Sequence, residues 1–221
     1  MESPIMKKVA VILSGCGYLD GSEIYEATLT LLALDQAHTQ VQCFAPDIPQ
    51  LHVVNHLTSE PTGESRNVLV EAARIARGKI QDVKKARAAD FDALVIPGGF
   101  GAAKNLCNFA LKGSEMTVNP DVLAFARAMH EAGKPVGLVC IAPAMAPAIG
   151  GKGTRYTIGN DAGTAAAINA TGGVHVDCAV TDCVVDADRK IVTTPAYMYS
   201  ARISEAATGI SKLVKAVLEM A

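Results

Sequence analysis

The sequence predicts an α/β fold with a mostly parallel sheet covered on both faces by helices. Three observations carry this. Short β-branched runs such as KKVAVIL (7–13), ALVIP (93–97) and VGLV (136–139) are apolar throughout, as strands buried on both faces are. They alternate with stretches of helical periodicity. With half of its 221 residues apolar, 19% charged and no Trp, the chain can fill a sizeable core with small aliphatic side chains.

The elements follow in order. The strand at 7–13 ends in a glycine-rich loop, SGCGYLDG (14–21). A helix over 23–37 carries Ile24, Ala27, Leu31 and Leu34 on one stripe, with Asp20 and Glu23, or Ser22 alone, as candidate caps. A strand at 40–45 is closed by Pro46 and Pro49. Residues 47–63 are irregular, with a short hairpin around 53–55. Next come a helix over 64–76, a short strand at 80–83 and a helical turn at 84–89. The strand at 93–97 leads into GGFGAAKNL, and 109–119 form a surface excursion. A helix over 120–132 has Pro120 at its start and Gly133 beyond its end. The strand at 136–139 runs into Cys140 and a helix over 142–149. A strand at 156–158, a helix over 162–170, a hairpin of 178–185 with 190–194, and a closing helix over 204–219 complete the chain. No repeat or linker marks a second domain, so 1–221 is expected to be a single domain with a short loose leader at 1–5.

The composition excludes several classes of function. A net charge of −2 gives no footprint for nucleic acid or an anionic membrane. No apolar run reaches the ~18–20 residues that span a bilayer. No secretory signal is expected at 1–8. Six cysteines are scattered without a CxxC pair, which points away from disulfides or zinc and towards a reducing cytoplasm. His52 and His56 lie four apart in an irregular stretch and do not make a metal site; no metal or organic cofactor is expected.

Ligands of parallel sheets sit outside the carboxyl ends of the strands. That selects the loop after Leu13, the loop after Pro97, and Cys140. A thiol at a strand-to-helix turn meets unpaired N–H groups and is expected to be more acidic than the free value of ~8.5. Gly98 and Gly99 let backbone N–H groups approach closely and, with the Ile141 N–H, could form an oxyanion hole. Glu23 and Glu26, one turn apart, share roughly one helix face. A carboxyl held beside a thiol can be kept protonated by burial and can shuttle a proton. The bland alternatives are an inert core cysteine, a tight PGGFG turn and solvated glutamates.

The stretches SGCGYLDGSEIYEA, NHLTSEPTGESRNVLVEAARIARGKI, LVIPGGFGAAKNL, GKPVGLVCIAPAM and KIVTTPAYM resemble the ElbB group of the PfpI and class I glutamine-amidotransferase-like superfamily. The resemblance covers the chain from Met6 to the closing helix. It implies a flavodoxin-like three-layer sandwich with Cys140 on a nucleophile elbow. It also implies Glu23 as acidic partner, and Gly99 and Ile141 as backbone oxyanion donors. The implied activity is a glutathione-independent glyoxalase converting glyoxal to glycolate, or a related protein deglycase, acting on a small dicarbonyl as a homodimer. Many relatives place a histidine after the strand matching 156–158. Here TIGND has Asn160 and Asp161, so Asp161 is the one candidate substitute and amide hydrolysis lacks a visible base. The elbow also lacks the small-x-Cys-x-Gly pattern, with Leu138 before and Ala142 after the cysteine. The alternative from another class is a cysteine redox sensor or binding protein with incidental turnover.

Overall fold

The computed structural model describes residues 6–221, so the leader expected at 1–5 lies outside the described residues. Strands β1 (Lys8–Ile12) and β2 (Gln40–Ala45) flank helix α1 (Ile24–Gln36) in the chain. A two-stranded ribbon, β3 (Val54–Asn55) with β4 (Glu60–Pro61), precedes α2 (Val68–Ile75), β5 (Ile80–Asp82) and β6 (Ala93–Ile96). Short α3 (Phe109–Lys112) and longer α4 (Pro120–Glu131) lead to β7 (Val136–Val139) and α5 (Ala146–Gly150). A second ribbon joins β8 (Arg155–Tyr156) to β9 (Val174–His175) around α6 (Ala162–Ala170). Strands β10 (Val184–Asp186) and β11 (Ile191–Thr194) precede the closing helix α7 (Ile203–Met220).

The main sheet has seven strands in the order β10-β11-β7-β6-β1-β2-β5. All pairs are parallel except the β10–β11 hairpin. Strand β1 pairs with β2 on one side and β6 on the other, through Val9↔Val41 and Val9↔Ala93. The order therefore reverses at β1, which opens a crevice at the carboxyl ends of β1, β6 and β7. This is the flavodoxin-like α/β architecture that the sequence predicts.

Side-chain alternation along each strand divides the core. Ala10, Ile12, Leu94, Ile96, Val136 and Leu138 face α4 and the aromatic cluster Phe44, Phe91 and Phe125. Val9, Val11, Val95 and Val139 face α1 and α7, whose Leu213 and Val217 lie on the sheet. Helix α4 starts as its sequence dictates. Asn119 accepts from the N–H groups of Asp121 (3.0 Å) and Val122 (3.2 Å), and Gly133 leaves the helix at φ +70°.

Two helices depart from the periodicity. The helix expected from 64 starts at Val68, because Asn67 is held extended by a bridge to Pro49 and then caps the helix through Val70. The helix expected over 142–149 is a 3₁₀ turn, Ala142–Met145, followed by the five residues of α5. Pro143 and Pro147 remove the N–H donors that a continuous α-helix needs here. The strand expected over 178–185 shortens to β10, and residue 182 turns its carbonyl to the Thr194 hydroxyl instead, at 2.7 Å.

Candidate active site

Strand β7 delivers Cys140 to the crevice. Its N–H continues the ladder to the Thr194 carbonyl at 2.9 Å, and its φ of +62° then turns the side chain out of the sheet. A non-glycine residue in this left-handed region is strained by about 1–3 kcal/mol and marks a position held by its surroundings. This is the geometry of a nucleophile elbow.

Strand β6 brings the second loop. Gly99 has φ +92°, and a Cβ there would collide with the Glu23 nitrogen and the Gly21 carbonyl, so only glycine fits. Gly99 and Ile141, expected as oxyanion donors, line the same cavity as Cys140, and their N–H groups oppose the rise of its thiol pKa. The Gly98 N–H donates to Glu26 Oε2 at 2.9 Å, and a Cβ on Gly98 would lie 2.7 Å from that oxygen.

The acidic partner of the thiol is Glu26, where the family resemblance implied Glu23. Glu26 is fully buried, packs beside the Cys140 side chain across Gly98, and accepts from the Tyr197 N–H at 3.2 Å as well as from Gly98. Burial, and then the nearby Glu23 carboxylate, push the Glu26 carboxyl up to about 8, so it is protonated at neutral pH. Glu23 does something else. As N-cap of α1 it accepts from the Glu26 N–H at 2.6 Å, and it lines the cavity. Its carboxyl is raised by burial, against three backbone N–H groups. The two residues look alike in sequence but point differently, because the face of α1 against the sheet and α7 carries Glu26, Ala27, Thr30 and Leu34.

Two further expectations are corrected. The Cys140 thiol is raised, not lowered, by burial and by the Glu26 charge. The chain beyond it is a four-residue 3₁₀ turn, which supplies single N–H groups but no long helix dipole. Asp161 does not replace the missing histidine. It is exposed, caps α6 by accepting from the Thr164 N–H at 2.7 Å, and is held low by Thr164. It is Thr164, and not Asp161, that reaches the cavity wall.

The cavity over Cys140 has a volume of about 360 Å³. Its walls include Tyr18, Phe100, Phe109, Tyr197 and Met198, none of which the sequence singled out. The loop after β11 was legible in principle, since it too leaves the carboxyl end of a central strand, and it supplies the Tyr197 N–H to Glu26. His56 is engaged elsewhere, accepting from the Leu19 N–H at 3.2 Å and stacking edge-on to Tyr18.

Comparison with known proteins fits this geometry. Residues 7–200 match the DJ-1/PfpI family. The chain is 47% identical to the Homo sapiens "Glutamine amidotransferase-like class 1 domain-containing protein 3, mitochondrial", over 96% of this chain and 83% of that protein. It is 46% identical to the Rattus norvegicus "ES1 protein homolog, mitochondrial", over 96% of this chain and 84% of that one. The crystal structure of an isoprenoid biosynthesis protein with an amidotransferase-like domain, from Ehrlichia chaffeensis, superposes with a TM-score of 0.91 at 39% identity. That superposition covers 97% of this chain and 99% of the other. The relatives overturn the cytoplasmic setting expected from the cysteines, since both carry a mitochondrial designation. Scattered cysteines without a pairing pattern do not say which compartment holds the chain.

Proposed function

Because this chain belongs to the DJ-1/PfpI family, which includes glyoxalase and deglycase members, we propose that it is a cofactor-independent glyoxalase of the ElbB type, with Cys140 as nucleophile and Glu26 as proton carrier. The observation that carries this reading is the buried Glu26 carboxyl packed beside the Cys140 thiol, beneath a cavity that would take a small aldehyde.

The reactive form is the Cys140–Glu26 pair holding one proton. Sulfur attacks one carbonyl carbon of glyoxal while that proton passes through Glu26 to the new alkoxide, giving a hemithioacetal. The Gly99 and Ile141 N–H groups stabilise the developing charge. Glu26, now a carboxylate, removes the hydrogen from the same carbon, and the electron pair forms an enediolate. The hydroxyl proton moves from the first oxygen to the second, and Glu26 returns its proton to the second carbon. The product is a thioester carrying a hydroxymethyl group. Water adds to the thioester with Glu26 accepting its proton, the thiolate leaves, and glycolate is released. One glyoxal and one water make one glycolic acid, with no net oxidation.

The redox-sensor alternative draws less support from the site. Sulfur oxidation follows thiolate character and exposure, whereas Cys140 is 7% exposed and its thiol is raised by burial. The test is conversion of glyoxal to glycolate, followed by proton NMR. Cys140→Ser is expected to lower turnover at least 1000-fold; unchanged turnover overturns the reading.

A further inference from the structure

The cavity is larger and more aromatic than a two-carbon dialdehyde requires. At ~30 Å³ for a water-sized group, about 360 Å³ holds roughly twelve non-hydrogen atoms, where glyoxal has about four. Tyr18 and Phe100 are 47% and 48% exposed and stand at its mouth. They are held as a pair, since the Phe100 N–H donates to the Tyr18 carbonyl at 2.8 Å. Phe109, Ile141, Tyr197 and Met198 complete an apolar wall. Half-exposed aromatic side chains gathered at one concave site mark a surface that a ligand covers.

The polar content of the wall narrows the chemistry further. Glu23 is the one lining residue with a formal charge, and no Lys, Arg or His lines the cavity among the described residues. The nearby Lys104 donates to the Leu19 carbonyl at 2.9 Å, and its ammonium sits over the Phe100 ring, 5.1 Å from its centre, outside the cavity lining. A phosphate or carboxylate held inside the cavity would therefore meet no counter-charge on its wall and would face Glu23.

We propose that the preferred substrate is an α-oxoaldehyde bearing a neutral, flat apolar substituent of about phenyl size, seated against Phe100 and Tyr18. The oxoaldehyde part of this inference rests on the glyoxalase reading; the neutral apolar substituent rests on the cavity alone.

Two measurements separate the parts. The first compares kcat/KM for phenylglyoxal and glyoxal in the full chain. Phenylglyoxal is expected to be favoured at least 10-fold, and Phe100→Ala, at a half-exposed position, is expected to reduce that preference at least 5-fold. Equal values, or a preference for glyoxal, overturn the proposal. The second needs no turnover. Alkylation of Cys140 by 2-bromoacetophenone, iodoacetamide and iodoacetate is followed by peptide mass spectrometry, each rate divided by the rate with free cysteine. The neutral aromatic reagent is expected to rank first and the anionic one last, with Phe100→Ala lowering the first. If that ranking holds while no oxoaldehyde is turned over, the glyoxalase reading fails and the neutral apolar ligand class stands. If iodoacetate matches 2-bromoacetophenone, the ligand class fails whatever the turnover.

Discussion

Helices α1 and α6 begin alike at the edge of the same cavity. Glu23 caps one by accepting from the N–H three residues on at 2.6 Å, and Asp161 caps the other in the same way at 2.7 Å. They differ in what the third residue is and where its face lies. In α1 it is Glu26, pressed against the strand ends and fully buried beside Cys140. In α6 it is Thr164, at the cavity wall. An acidic residue at a helix start is a cap by default. What sets Glu26 apart is that tertiary packing drives its carboxyl into the low-dielectric end of the sheet, where burial, and then the nearby Glu23 carboxylate, raise its proton affinity.

The contrast can be broken in several ways. Glu26→Gln keeps the shape but removes the proton carrier, and turnover of glyoxal is expected to fall ~100–10,000-fold. Glu23→Gln is expected to lower it less than 10-fold; a larger loss from Glu23 in steady-state kinetics would reverse the assignment of roles.

Gly98→Ala tests the closeness of thiol and carboxyl. The added Cβ meets both the Cys140 Cβ and Glu26 Oε2, so the pair must separate. Turnover is expected to drop about 100-fold, with ~1–3 kcal/mol lost from stability in urea titrations. Native-like turnover in this variant would mean that the contact is dispensable.

Acidity sharpens the comparison. Glu26 is raised to about 8 in the folded chain from an ordinary 4.5, so its folded-state proton is held more tightly than its unfolded one. Stability is therefore full below about pH 4.5 as far as this group is concerned, and its contribution is lost as pH rises through about 8, on the order of a few kcal/mol. Glu26→Gln is expected to flatten that decline in denaturation curves taken at several pH values. Activity runs the opposite way, with kcat/KM expected to rise through about pH 8 as the pair loses one of its two protons. A flat profile between pH 6 and 9 would argue against the pair as the reacting unit.

The smallest effect is expected at α6. Asp161→Ala removes an exposed cap and is expected to lower Tm by no more than about 3 °C, with turnover within two-fold of wild type. A large kinetic loss there would restore Asp161 as a participant.

The sheet was readable because strands buried on both faces have an unmistakable composition, and 40–45 and 136–139 match their observed bounds. So was the cysteine, since a thiol after a buried strand in this fold lies at the crevice. Periodicity was half right at α1, where Ala27 and Leu34 are buried as expected. The stripe Ile24, Ala27, Leu31 and Leu34 looks like the core face, yet Ile24 is 45% exposed, and Glu26 and Thr30 are buried in its place. Helix α1 packs beside α7 as well as on the sheet, which no local pattern encodes. Proline decided the stretch after Cys140 against a long helix, so the thiol lacks the dipole that a strand-to-helix reading supplies.

By itself the sequence determined the layered α/β class, the cysteine at a strand end, and the glycines beside it. Each depends on local physics: β-branched runs, turn chemistry, and φ angles that one residue type tolerates. The tertiary structure decided which glutamate meets the thiol, which loop supplies the Tyr197 N–H, and which aromatic side chains wall the cavity. Those depend on how the strand ends converge and on which face of α1 is buried, and the raised proton affinity of Glu26 exists only once its neighbours have excluded water.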